Sequence, residues 1–371
     1  MARSHDIITT LEAASRIGCT VQHVRLLIRS GALEGSKLGR DWFIECGSVD
    51  RLVTKKRNIR GAARPGVGPG QQTLPMDVPA TTRLVNVASV PQRSPFRYPG
   101  GKTWLIPIAR KWLAALDCQE KTLVEPFAGG GGISLMAAFE ERVALAHLIE
   151  LDPDIAVVWR TMLSGASETL QQRIKNFDCT PEEVLQALGK SERTEAGKAF
   201  QTIVRNRVSR GGILAPGAGF TKKGEAGKGI ASRWYPETLV ERLSAIHERR
   251  DRIRFTEGDG LAVLCENADD PEAVFFIDPP YPVAGKRLYR FHDLDHRRLF
   301  SIMQRLKGPF LATYDHNPDI EALAREFGFD TRLTPMKSTH HAKKFELLIS
   351  RDMSWFSEAD GDSSGSPRAS A

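Results

Sequence analysis

Apolar positions along this chain follow two rhythms. Short unbroken runs lie in its middle and late parts, the clearest being Val274 to Ile277. A run that short and that apolar predicts a strand buried on both faces of a parallel sheet. Further strands are predicted at Thr122 to Glu125, Ala144 to Ile149, Phe310 to Thr313 and Phe345 to Ser350. Helical spacing appears between them, as in Leu105, Ile108, Ala109 and Trp112, and again in Leu135, Ala137 and Ala138. Strands alternating with helices predict an α/β fold with a doubly wound, mostly parallel sheet.

The first 53 residues read differently. Thr9 to Glu12 has capping-box spacing, so a helix is predicted from Thr9 to about Ile17. Gly18-Cys19 turns, and Thr20 caps a second helix whose Val21, Val24, Leu27 and Ile28 face inward. Gly31 ends that helix. A hairpin follows over Gly35 to Glu45 around Gly39-Arg40, then a short helix near Val49 to Val53. Helix, tight turn, helix and basic hairpin is a winged helix-turn-helix plan. Gln22, Arg25 and Arg29 on the second helix, with Lys37 and Arg40 on the wing, are the expected DNA contacts. The Leu-Glu-Ala-Ala-Ser-Arg-Ile-Gly and Ile-Arg-Ser-Gly-Ala-Leu segments resemble the excisionase/MerR-like DNA-binding module. Residues 1–60 carry 11 Lys/Arg and 6 Asp/Glu, so +5 of the formal charge lies here.

Residues 54–93 contain Pro65-Gly66-Val67-Gly68-Pro69-Gly70 and no sustained period, the composition of a flexible tether. Residues 357–371 are rich in Asp, Ser and Gly and are expected to be disordered. The main domain is therefore placed at 94–356. Over 371 residues the formal net charge is +7, which favours a polyanionic partner. Five scattered cysteines show no metal or disulfide spacing, and no apolar stretch is long enough to span a membrane. His292 and His296 lack a third ligand at a usual spacing, so no metal is expected. The N-terminus lacks a signal-peptide layout, and a cytoplasmic, nucleoid-associated protein, bacterial or phage-encoded, is expected.

Candidate chemistry concentrates where strands end. Asp278-Pro279-Pro280-Tyr281 follows the most apolar run, and its two prolines stop the strand. A carboxylate is thereby held at the carboxyl end of a strand, where open α/β sheets keep their ligands. Upstream, Phe127-Ala-Gly-Gly-Gly-Gly turns a strand into a helix, with Gly129, Gly130 and Gly131 removing side chains where a nucleoside would lie. Glu150 ends the next strand, and Asp259 follows within Glu-Gly-Asp-Gly. Tyr98-Pro-Gly-Gly-Lys102 precedes the first helix.

These segments together resemble the Dam-like DNA adenine-N6 methyltransferases over about residues 94–352. The resemblance implies a seven-stranded Rossmann-like sheet that binds S-adenosylmethionine. Tyr98 and Lys102 would border the methionine portion, Phe127, Gly129 and Gly131 the pocket floor, Glu150 the ribose and Asp259 the adenine amino group. Glu125 is a second candidate for the methionine end. Asp278 and the Pro279 carbonyl would accept from the target amine, Tyr281 would stack on the flipped base, and Tyr314 to Asn317 would close the pocket.

A recognition insert is expected over about 190–254, which holds 15 Lys/Arg and 7 Asp/Glu. It reads as glycine-rich, cationic and irregular. Arg205, Asn206, Arg207, Lys222 and Lys223 are its expected DNA contacts. The alternatives are cytosine-N4 methylation, which uses the same amine logic, and a catalytically silent DNA-binding regulator on the same fold.

Overall fold

A computed structural model describes residues 7–17, 24, 27–28, 32–38, 41–52, 90–97, 101–215, 217–224, 227–282, 290–291, 293–337 and 343–356. The chain divides into two compact units, Met1–Asp77 and Val78–Ala371.

In the first unit the Thr9 capping box forms as expected. The Thr9 amide donates to Glu12 Oε2 at 2.8 Å, and the Glu12 amide donates to Thr9 Oγ1 at 3.3 Å. Helix Thr10–Ile17 follows. Strands β1 (Ile7–Thr9), β2 (Gly35–Leu38) and β3 (Asp41–Glu45) form an antiparallel sheet in the order β1-β3-β2. The hairpin was legible; β1 was not, because three β-branched residues beside a helix cap give too short a period to read. Ala13, Val24, Ile44 and Val49 are fully buried at the centre of this unit. Gln22, Arg25, Arg29 and Arg40 lie outside the described residues. Lys37 lies on β2, where it pairs with Trp42.

The second unit is a doubly wound, seven-stranded Rossmann-like sheet. Its strands are β4 (Thr122–Glu125), β5 (Leu145–Glu150), β6 (Ile253–Glu257), β7 (Ala273–Ile277), β8 (Phe310–Asp315), β9 (Asp330–Lys337) and β10 (Lys343–Ser350). They run in the order β6-β5-β4-β7-β8-β10-β9, with β10 antiparallel to both neighbours and the five strands from β6 to β8 parallel. Successive residues of β7 feed opposite cores. Val274 and Phe276 join one face, with helices Ile106–Ala115 and Gly132–Phe139, while Phe275 and Ile277 join the other, with His296–Arg305. The chain leaves β4 for β5 and β6, then returns to β7 on the other side of β4. That reversal opens a crevice at the carboxyl ends of β4 and β7.

Three expectations change. Val90 is buried in the core of this unit and Arg93 reaches Glu140, so residues 90–93, expected within the tether, pack on this unit. The insert is not simply irregular: helices Glu195–Val208 and Pro236–Glu248 lie within it, and Pro153–Leu163, Ser167–Lys175 and Pro181–Gly189 precede it after β5. Ala196, Ala199, Phe200, Ile203 and Val204 form an apolar stripe that the surrounding charge obscured in the sequence. Strand β9 is unforeseen; it is an edge strand that carries Pro335, which breaks the usual pattern.

Candidate functional site

A cleft of about 850 Å³ opens at the reversal point, lined among others by Lys102, Phe127, Gly131, Glu150, Asp259 and Asp278. Tyr98 lies outside the described residues. Two faces of this cleft have distinct chemistry.

On the β4–β5 side, the chain turns through Gly129 and Gly131, both left-handed at φ 48° and 61°. A Cβ on Gly131 would lie 2.5 Å from Leu148 Cδ2 and 2.7 Å from Trp159 Cζ2, so only glycine fits. Trp159 Nε1 donates to the Gly129 carbonyl at 2.9 Å. Glu150 Oε2 accepts from the Gly129 amide and Oε1 from the Asp152 amide, both at 2.8 Å. Each carboxylate oxygen has two acceptor directions, so Glu150 keeps capacity toward the cleft. Burial pushes its carboxyl up to about 7 against the pull of those amides. Glu125, at the end of β4, accepts from the Ser134 amide at 3.0 Å, and burial pushes it up to about 8. Asp259 caps helix Gly260–Glu266 through the Leu261 amide at 3.0 Å. The bare backbone at Gly129–Gly131, with an acid on each adjoining strand end, suits a nucleoside carrying a ribose and a cationic tail.

On the β7–β8 side, one oxygen of Asp278 is heavily used. Its Oδ1 receives Thr313 Oγ1 at 2.8 Å, Lys102 Nζ at 3.0 Å and the Tyr281 hydroxyl at 3.2 Å. Lys102 Nζ also donates to the Tyr281 hydroxyl at 2.6 Å, and that hydroxyl donates to Glu346 Oε2 at 2.7 Å. Burial alone would lower the Lys102 ammonium, but Asp278 and Glu346 outweigh it and the net direction is upward. The Tyr281 phenol is raised well above its ordinary value by burial and by the charges of Asp278 and Glu346.

Several expected placements are corrected here. Lys102 is tied to Asp278 and Tyr281, which places its head group on the β7–β8 side of the cleft. Tyr281 was expected as a stacking platform, yet its ring lies on Tyr314 (5.8 Å between centroids, 24° between planes) and its hydroxyl holds the carboxylates. Asp278 and Pro280 border the cleft, whereas Pro279 and Tyr281 do not line it. Tyr314 is fully buried and Asn317 caps helix Pro318–Glu326, so neither closes the pocket. Asn206 is fully buried and clamps the backbone instead of facing DNA. Its Oδ1 accepts from the Arg97 amide at 2.8 Å, and its Nδ2 donates to the carbonyls of Gly212 (2.8 Å) and Arg97 (3.0 Å). Arg207 is also buried, donates to the Pro95 carbonyl and still borders the cleft. Burial and the charges of Arg242 and Arg97 push its guanidinium down to about 9. Arg205 is half-exposed and lies 3.8 Å from Asp154. Lys222 and Lys223 are exposed, as expected for phosphate contacts.

Glu346 and Thr313 were not singled out from sequence. A lone acid inside the apolar run Phe345 to Ile349 was the available signal, since charges are almost never buried without partners. Among the described residues no group of His, Cys, Asp and Glu could hold a metal, and no helix is long and apolar enough to cross a membrane.

No family model matches the chain. It is similar to a DNA N-6-adenine-methyltransferase of Escherichia phage P1, at 27% identity over 269 residues. That alignment covers 68% of this chain and 34% of the relative, so the chain spans about a third of that protein's length. Solved structures of similar fold include an rRNA methyltransferase, aviRa, from Streptomyces viridochromogenes (14% identity, 71% of this chain and 88% of that one, TM-score 0.33). A methyltransferase from Geobacter sulfurreducens (12%, 69% and 80%, TM-score 0.32) is another. Likeness at that level bears on neither activity nor substrate; strand order carries the fold.

Proposed function

We propose that this chain transfers a methyl group from S-adenosylmethionine to the N6 amino group of adenine in DNA. The observation that carries the reading is Asp278, a carboxylate at the carboxyl end of β7 whose Oδ1 is held by Thr313 and Lys102, in the same cleft as the Gly129–Gly131 turn and Glu150. The phage relative's name and the intact Asp-Pro-Pro-Tyr run support adenine N6 as the acceptor.

The exocyclic amine of adenine is a weak nucleophile because its lone pair is delocalised into the ring. Two acceptors aimed at its hydrogens favour the pyramidal form, in which that pair is free to attack. Asp278, which borders the cleft, is suited to one of these acceptor roles as a preorganised group. S-adenosylmethionine, when bound, supplies a sulfonium methyl; the N6–carbon bond forms as the sulfur–methyl pair returns to sulfur, and N6 releases one proton. The target base has to leave the duplex to reach Asp278, at a cost of a few kcal/mol.

Gly129, Gly131 and Phe127 would floor the cofactor site, Glu150 would hold the ribose, Asp259 the adenine amine and Glu125 the methionine ammonium. Glu150→Ala should weaken S-adenosylmethionine binding by about 1–3 kcal/mol and leave DNA affinity almost unchanged. Calorimetry on the full chain checks this, and an unaltered cofactor affinity would move the ribose acceptor elsewhere.

The N-terminal unit is proposed as a second DNA contact, on the strength of its capped helix and hairpin with a basic sequence. A fragment beginning at Val78 should methylate the same sites as the full chain. It should bind DNA more weakly and with a shallower salt dependence, because fewer phosphates are neutralised. Equal slopes of affinity against salt would rule out DNA contact by the first unit.

A further inference from the structure

A buried acid near Asp278 takes no part in the chemistry proposed so far. Glu346 sits on β10 within a strand whose Leu347, Leu348 and Ile349 are fully buried, and it is itself 5 % exposed. Burying a carboxylate there is costly, and a neutral glutamine would match its shape and its acceptor role toward a phenol. Every strand and loop packed against it contributes a polar group. Asp315 is its register partner on β8 and Thr334 its partner on β9, while Lys102, Asp278 and Tyr281 face it from the cleft wall.

The geometry points to Glu346 as a positioning residue for the target-amine acceptor. By drawing the Tyr281 hydroxyl hydrogen and part of the Lys102 charge to itself, it keeps Asp278 a strong acceptor, with Oδ2 left for the substrate amine. The inference rests on the adenine-methylation reading and deepens it.

Two consequences follow from the distances. The Tyr281 hydroxyl has one hydrogen, and at 2.7 Å from Glu346 against 3.2 Å from Asp278 it goes to Glu346. Asp278 is thereby spared one donor. The Lys102 ammonium is likewise shared among Asp278, Glu346 and Asp315, so its charge does not fall wholly on Asp278. Both effects keep Asp278 a strong acceptor for the amine hydrogen. Among the described residues no donor reaches Asp278 Oδ2. Protonating Glu346 reverses both: the phenol hydrogen turns to Asp278, and Lys102 bears more strongly on Asp278. Burial raises the Glu346 carboxyl above its ordinary range while Lys102 pulls it back, so this switch lies on the acid side of turnover.

The test uses the full chain with E346Q and E346D. E346Q should lower kcat by about ten- to a hundredfold, the scale for an outer partner of a reacting group, with cofactor and DNA affinities within about twofold. The acid limb of kcat against pH should lose its Glu346 component in E346Q, and E346D should restore part of both kcat and that component. Independently of turnover, tyrosine labelled at Cζ gives five resonances, and Y281F assigns that of Tyr281. It should move as pH falls in the parent and stay still in E346Q. A parent-like kcat and acid limb in E346Q would overturn the inference, as would a Tyr281 resonance that ignores pH in the parent. A parent chain that methylates no DNA would overturn the functional reading instead, and the resonance still decides whether Glu346 and Tyr281 are coupled. If E346Q does not fold, E346D must shift both limb and resonance, or the inference fails.

Discussion

Asp278→Ala is expected to lower methyl transfer to DNA by about two to three orders of magnitude, the scale for removing one preorganised group that acts in the transition state. S-adenosylmethionine binding should stay within a few fold, because the acids proposed to hold the cofactor are Glu125, Glu150 and Asp259. The variant keeps Glu346 beside Lys102, so the buried ammonium retains a counter-charge and the chain should fold. Asp278→Asn should be nearly as inactive, since an amide Oδ1 still meets Lys102 and Thr313 while the cleft-facing group becomes a donor. Rates at saturating cofactor, with cofactor affinity measured on the same preparations, separate the two effects. Near-parent turnover in either variant would remove Asp278 from the chemistry.

The second large effect is expected at the glycine turn. Gly131→Ala meets two penalties together. The residue sits at φ 61°, where an alanine costs about 1–2 kcal/mol. Its Cβ would also press on Leu148 at 2.5 Å and Trp159 at 2.7 Å, and forcing a methyl into such a core costs about 1–3 kcal/mol. A loss of about 2–5 kcal/mol is expected in urea unfolding, together with loss of cofactor binding. The binding loss follows from the turn itself, since the Gly129 amide and carbonyl anchor Glu150 and Trp159. Gly165→Ala is the control, because a Cβ there meets nothing within 4 Å, and it should unfold like the parent. Equal midpoints for the two variants would contradict the packing described at Gly131.

Sequence carried the sheet well where burial on both faces left no choice. Val274 to Ile277 is uniformly apolar because each residue feeds one of two cores, and the prolines after it fix where the strand stops. Glycines at 129 and 131 were equally legible, since both take a left-handed backbone in the strand-to-helix turn and a Cβ at 131 would strike Leu148 and Trp159. Polar residues were less so. The charge of Arg207 or the amide of Asn206 does not say whether its partner is a phosphate or the chain's own backbone. For Asn206 the answer depends on Arg97, 109 residues away in sequence. Tyr281 likewise could face a base or a buried acid, and only the arrival of β10 beside β8 brings Glu346 to its hydroxyl. Edge strand β9 and the insert helices were hidden for another reason, because their apolar stripes are narrow and interrupted by charge.

The central claim is adenine-N6 methylation of DNA, and the product nucleoside tests it most directly. The purified full chain is incubated with unmodified duplex DNA and S-adenosylmethionine labelled in its methyl group. The DNA is then digested to nucleosides, which are separated and weighed by mass spectrometry. The predicted result is label in N6-methyldeoxyadenosine alone, and its absence when the chain carries Asp278→Ala. Label in N4-methyldeoxycytidine, or DNA left without label by a chain that binds the cofactor, would contradict it.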